Sequence, residues 1–108
     1  MKSGGGGREG DQERPDAPAH AELSRLREEI ERIDRTLIEL IAERVRLARE
    51  VGVTKRAAGL PTQDPAREAA VIRQAAEVAR AAGLLDDDIR NIFWQVIGLS
   101  RRAQLEGE

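Results

Sequence analysis

The sequence predicts an all-α protein with three helices per chain, the first of them very long. Three observations lead there. Between Ala21 and Ala58 the apolar residues Leu23, Leu26, Ile30, Ile33, Leu37, Leu40, Leu47 and Val51 recur at steps of three and four, or their sum, with no intervening proline, which is helical spacing. Charged residues make up 35% and aromatics 2% of the chain, and Ala, Leu, Glu and Arg dominate, the composition of a solvent-laced helical protein. Two glycine-bearing breaks, around Gly59 and Gly83, divide the remainder into two further helical periods. No stretch alternates apolar and polar residues as a half-buried strand does, and there is no internal repeat or glycine-rich phosphate loop.

The totals exclude several functions. At 108 residues the chain is long enough for one domain. A formal net charge of −2 argues against a nucleic-acid binder drawn in by bulk charge. There is no cysteine, hence no disulfide framework and no thiolate metal site. His20 is the sole histidine, and a lone imidazole at the edge of a polar tail is a surface residue rather than a metal ligand. No apolar run is long enough for a membrane span and the N-terminus lacks a signal-peptide core, so the expected location is cytoplasmic, with no membrane or nucleic-acid partner. A core so poor in aromatics is thin for a monomer, which favours oligomerisation.

Taken in order, Met1 to Ala19 mixes a glycine run, charges and two prolines. Residues 1–20 are expected to form a disordered polar, glycine-rich tail, and 21–108 one helical domain. At about 1.5 Å per residue the first helix would be roughly 55 Å long, against a radius of gyration near 13 Å for a domain of about 100 residues. Its stripe therefore has to be covered by a partner chain, by later helices folding back, or by both. Outer positions carry Glu28, Arg32, Glu39, Glu43, Arg46, Arg49 and other charges, several at pairing distance such as Glu28 with Arg32, and read as a solvated face.

Gly59 suits a helix C-cap and Pro61 prevents continuation. Asp64-Pro65 reads as N-cap and first residue of a second helix, 65–82, with Ala69, Ile72, Ala76 and Ala79 inward and Gly83 as its stop. Asp86, Asp87 and Asp88 suit the N-terminus of a third helix, about 87–105, by meeting the positive end of its dipole. Adjacent aspartates on a helix point in different directions, so they are not a metal site. The inner stripe is Ile89, Ile92, Phe93, Val96, Ile97, Ser100, Ala103 and Gln104. Gly98 is expected to permit a close helix contact.

Polar residues interrupt these stripes. Arg44 sits one heptad beyond Leu37 and one before Val51, where an apolar residue belongs, and a cation in an apolar seam is costly unless an anion meets it. Lys55 lies three turns on, nearly the same way round, roughly 16 Å along the axis. Two such side chains reaching toward each other leave a gap suited to a small dianion. Arg27 borders the same seam but roughly 25 Å from Arg44, so it can serve such a site only if a second chain delivers it. Asp64 and Glu68 supply carboxylates near the start of the second helix, with Arg67 between them. Ser100 and Gln104, four apart on one side of the third, supply neutral donors and acceptors. The set lacks a nucleophile–base pair and metal ligands, and suits electrostatic catalysis on a polycarboxylate. Each residue also has a plain structural explanation. Arg44 can pair with a glutamate across a coiled coil, Arg27 and Lys55 can be surface charges, Asp64 an N-cap, Arg67 and Glu68 first-turn residues, and Ser100 and Gln104 the end of a helix. Only the joint pattern favours a site.

That pattern resembles the all-helical class of chorismate mutases. The resemblance is carried by Leu26-Arg27-Glu28-Glu29-Ile30, Ile33-Asp34, Leu40-Ile41-Ala42-Glu43-Arg44, Glu50-Val51-Gly52 with Lys55, Asp64-Pro65-Ala66-Arg67-Glu68, and then Ser100 and Gln104. Each motif is weak alone; in order and at the family's spacing they are specific. The resemblance implies an intertwined homodimer with two equivalent sites and conversion of chorismate to prephenate without cofactor or metal. It implies that Arg44 and the partner's Arg27 hold the two carboxylates and that Lys55 and Gln104 hydrogen-bond the ether oxygen. It further implies that Glu68 and Asp64 act around the ring hydroxyl and the Lys55 loop, that Ser100 assists at a carboxylate, and that Arg67 supports the site. The family often has a second lysine where this chain has Val53. An attached regulatory or dehydratase domain is not expected, nor is feedback control within the chain, while control by a partner enzyme is compatible with the sequence. A pyruvate-removing lyase acting on isochorismate on the same fold is the nearest alternative, disfavoured by Asp64 and Glu68 at the mutase spacing. A non-catalytic helical dimerisation module is the other.

Overall fold

The computed structural model describes residues 16–106, and within them the chain is all-α. Helix α1 runs Ala17–Ala57, α2 Pro65–Ala81 and α3 Asp86–Gln104. The first helix thus starts four residues before the expected Ala21, and His20 stands in it, exposed, 3.3 Å from Asp16. The tail expected over 1–20 lies, up to residue 15, outside the described residues. No helix among the described residues is long and apolar enough to cross a membrane.

Two compact units divide the chain, with the boundary inside α1 after Ile38. In the first unit Leu23, Leu26, Ile30, Ile33 and Leu37 are all exposed, between 43% and 56%. Its polar face is laced by local pairs. Arg25 forks onto Glu22 at 2.9 and 2.7 Å, which holds the Glu22 carboxyl below its ordinary range. Arg32 takes Glu29 at 3.2 Å rather than the Glu28 expected from spacing.

The second unit comprises the last turns of α1 together with α2 and α3. Its buried apolar residues are Ala48, Ile72, Ala75, Ala76, Ala79, Ile97 and Ala103, a core built largely of alanine. Small side chains let the helices approach closely but leave little apolar area to bury. Ala75, not the expected Ala69, completes the inner face of α2, and Ile92 on α3 is 54% exposed. A close approach to another helix is found at Gly52 and not at Gly98. A Cβ at Gly52 would lie 2.8 Å from the Gln104 Cα and closer still to its carbonyl oxygen, whereas one at Gly98 would meet only Arg102 Nη1 at 3.6 Å.

Both interhelix turns follow from sequence. At the end of α1, Leu60 N–H donates to the Lys55 carbonyl at 2.8 Å and Gly59 N–H to the Arg56 carbonyl at 3.2 Å. At the end of α2, Leu84 donates to Ala79 at 2.8 Å and Gly83 to Arg80 at 3.1 Å. This is the paired capping pattern that needs a left-handed residue, and Gly59 and Gly83 have φ of 72° and 78°. Gly83→Ala is accordingly expected to cost about 1–2 kcal/mol in a denaturant titration, with the slope unchanged. Pro65 opens α2 behind Asp64, whose side chain accepts from the Arg67 N–H at 3.1 Å. Asp86, Asp87 and Asp88 fill the first turn of α3, and Arg80 of α2 reaches Asp86.

Candidate active site

The second unit carries a cavity of about 480 Å³ between α1, the start of α2 and the end of α3. Leu47, Ala48, Val51, Val71 and Ile97 form its apolar lining. Its polar lining is Arg44, Lys55, Asp64, Arg67, Glu68, Ser100, Arg101 and Gln104. Seven of the eight residues singled out from sequence therefore meet in one place. The eighth, Arg27, belongs to the first unit and is exposed.

Helix α1 presents Arg44 and Lys55 three turns apart. Arg44 Nη1 donates to the buried Ser100 hydroxyl on α3, 56 residues away in the chain. A serine whose partner is a guanidinium has no base to take its proton, so this hydroxyl is a binding group and not a nucleophile. Lys55 Nζ donates to the Thr62 carbonyl at 3.0 Å and to Gln104 Oε1 at 3.3 Å. An ammonium cannot accept, so it must face the oxygen of the Gln104 amide, which turns the amide NH₂ away as a free donor. Among the described residues two of the three ammonium protons are engaged, leaving the third.

Gln104 is itself fixed from behind. Arg56 donates to its backbone carbonyl at 2.7 Å and to the Glu106 carbonyl at 2.9 Å. Arg49 pairs with the Glu106 carboxylate at 2.7 Å, and that carboxylate raises the Arg49 guanidinium above its usual value. The last turn of α3 is thereby tied to the face of α1 that also presents Gly52. Sequence reasoning assigned Arg49 to the solvated face and gave Arg56 no role.

The two carboxylates differ. Asp64 is exposed and spent on capping α2, and within the described residues Lys55 is held by Thr62 and Gln104. Glu68, half-buried one turn further on, is gripped by Arg101, whose Nε and Nη2 donate at 3.2 and 2.8 Å. The hydrogen-bonded carboxylate in turn raises Arg101 above its ordinary value. Arg101 was not identified from sequence. The available signal was its place three residues before Gln104, on the same side of α3. Arg67 lines the cavity with its guanidinium unpaired among the described residues.

Four cationic and two carboxylate side chains line the cavity, leaving two positive charges in excess. A small dianion complements that surplus, and an apolar floor strengthens each charge–charge interaction. Among the described residues no group of three or more His, Cys, Asp or Glu is arranged to hold a metal ion.

Comparison with known proteins bears on the same residues. The family described as chorismate mutase type II matches residues 26–105, most of the chain. The chain is 38% identical over 77 residues to the T-protein of Enterobacter agglomerans, covering 71% of this chain and 21% of that protein. It is 47% identical over 47 residues to a bifunctional chorismate mutase/prephenate dehydratase of Aquifex aeolicus, covering 44% of this chain and 13% of the other. It is 44% identical over 46 residues to a chorismate mutase of Methanocaldococcus jannaschii, covering 43% and 46% respectively. The chain thus spans about a fifth of the length of the T-protein it matches.

Proposed function

The chain belongs to the chorismate mutase type II family, and from that membership we propose that it converts chorismate to prephenate in the cytoplasm, on the route to phenylalanine and tyrosine. The rearrangement is unimolecular. A carbon–oxygen bond of the ether breaks as a carbon–carbon bond forms, no proton moves and nothing leaves. An enzyme can accelerate it only by holding the reactive conformer and by stabilising charge that grows as the bonds change.

The observation that carries this reading is the Lys55–Gln104 pair beside Arg44–Ser100 in one cavity with surplus positive charge. As the ether bond breaks, its oxygen becomes more negative. Lys55 and the Gln104 amide donate to it and interact more strongly with the transition state than with the substrate. Arg44, oriented by Ser100, takes one substrate carboxylate, and a bidentate guanidinium fixes that group in plane. Glu68 accepts from the ring hydroxyl. Asp64 acts through the cap that sets the start of α2, and Arg67 adds positive charge at the cavity's edge.

The second carboxylate is taken by Arg27 of the partner subunit in a homodimer. Two features support the dimer. The apolar stripe of the first unit is exposed along its length, and a core built mainly of alanine is small for a chain of this size. Residues 21–108 act as one mutase domain in this proposal.

The test is the purified protein with chorismate and no added cofactor. Prephenate is the expected product. Pyruvate released from isochorismate in a parallel assay, with chorismate left unchanged, would instead identify the lyase, and no turnover or measurable binding of either substrate would identify a dimerisation module. Arg44→Ala is expected to lower kcat/KM about ten- to a hundredfold, the scale of a lost charged hydrogen bond, mainly through KM and with the far-ultraviolet helical signal unchanged. Under the dimerisation alternative Arg44→Leu would raise dimer stability instead.

A further inference from the structure

The proposed chemistry uses Glu68 as a hydroxyl acceptor, yet nothing in that role explains why this carboxylate does not collapse onto a neighbouring cation. Lys55, Arg44 and Arg67 line the same cavity. A glutamate free to rotate could pair with one of these cations, and pairing with Lys55 would cancel the charge that the breaking ether bond needs. Arg101 supplies the alternative. Its fork engages both Glu68 oxygens, Nε to Oε2 and Nη2 to Oε1, from a helix 33 residues along the chain.

Both ends of the pair are anchored. Glu68 sits in the first turn of α2, fixed by the Asp64 cap. Arg101 stands between Ser100 and Gln104 on α3, where each neighbour is held by α1. A two-point guanidinium fork sets the plane of a carboxylate, which a single ammonium cannot do. It occupies two of the carboxylate's lone-pair directions and leaves the others for a hydroxyl. Both side chains line the cavity, and at 24% exposed against 42% for Arg101 the Glu68 carboxylate is the more shielded of the two.

We propose that Arg101 is a positioning residue that holds Glu68 as a hydroxyl acceptor and keeps it off Lys55. This rests on the functional reading above. Arg101 acts through Glu68 and does not touch substrate.

The experiment is a double-substitution cycle in the full chain, with steady-state chorismate conversion by wild type, Arg101→Leu, Glu68→Ala and the double variant, and Arg101→Lys as the conservative control. Arg101→Leu is expected to lower kcat/KM about tenfold, and to cost nothing further in the Glu68→Ala background, because coupled residues are non-additive. Arg101→Lys should recover part of the loss, since it restores the charge but not the fork. If Arg101→Leu does not fold, Arg101→Lys carries the same cycle. A silent Arg101 substitution in an active enzyme overturns this inference alone, as does an equal loss in both backgrounds, which would mean a direct or purely structural role. A wild-type chain that leaves chorismate untouched overturns the functional reading and this inference with it.

Discussion

Under the proposed function, Lys55→Ala is expected to lower kcat for chorismate conversion by about a hundred- to a thousandfold, the range seen when a donor to a developing oxyanion is removed, with the helical signal retained. The cause is local. Lys55 supplies a cationic donor with one proton to spare, and its contact with Oε1 sets the Gln104 amide so that a second donor faces the same space. Removing Lys55 takes away the charge and releases the amide together. In the proposed mechanism the ground state would feel this less than the transition state, so kcat is expected to fall more than substrate affinity. Arg27→Ala, which removes the grip on the other carboxylate, is expected to lower kcat/KM of its homodimer on the scale of Arg44→Ala, about ten- to a hundredfold. Mixing the two variants under conditions of subunit exchange should restore about a quarter of the wild-type activity, because half of the dimers are mixed and each has one complete site. A mixture that exchanges and stays at the level of the separate variants removes the shared-site proposal and leaves the role of Lys55 to its own kinetics.

Gly52→Ala is expected to damage stability and activity together. In an open helix the change would gain about 1 kcal/mol. Here the added Cβ would stand 2.8 Å from the Gln104 Cα, 2.9 Å from its carbonyl carbon and closer to the oxygen. These are backbone atoms, which cannot rotate aside. The end of α3 has to move, against the Arg56 hydrogen bond to the same carbonyl at 2.7 Å. Overpacking of this kind costs about 1–3 kcal/mol, which exceeds the helical gain over most of that range. Gln104 moves with its backbone, and a shift of about 1 Å in a group that positions the reaction is worth up to about a hundredfold in rate. Thermal melting and kcat measured on the same preparation check it. A variant that melts higher than wild type with unchanged kcat would show that the contact is not tight in solution.

The two expectations share a physical root, since Lys55 and Gly52 meet the same residue from α1. Gly52 lets the α3 backbone come close, Arg56 and Arg49 hold its last turn, and only then does Gln104 stand within 3.3 Å of Lys55. The site is therefore as precise as the packing of a single helix end.

How far this was legible varies with the range of the interaction. The helices, their glycine stops and the Asp64-Pro65 start were readable because they depend on residues within one turn of each other. Arg44, Ser100 and Gln104 stood out because a polar group in an apolar stripe is costly and demands a reason, whereas Lys55 and Glu68, ordinary surface and first-turn charges when taken alone, stood out only in the joint pattern. Arg101, Arg56 and Arg49 did not stand out. Each lies among charged residues at a helix surface and looks like any solvated arginine until its partner, 33 to 57 residues distant, is known. Of the expected inner face of α2, Ile72, Ala76 and Ala79 are buried and Ala69 is not, for a related reason. Ala69 and Ala75 are chemically identical, and only the neighbouring helix decides which is covered.

The sequence by itself determined an all-α chain of three helices, where each helix stops, and which cations and carboxylates to propose as a site for a small dianion, because local geometry and the cost of misplaced charge are written residue by residue. Only the tertiary structure decided which glycine carries the close approach, that Arg101 rather than a site lysine takes Glu68, and that two arginines of α1 hold the end of α3. Those outcomes depend on distances between segments remote in the chain, and no periodicity encodes them.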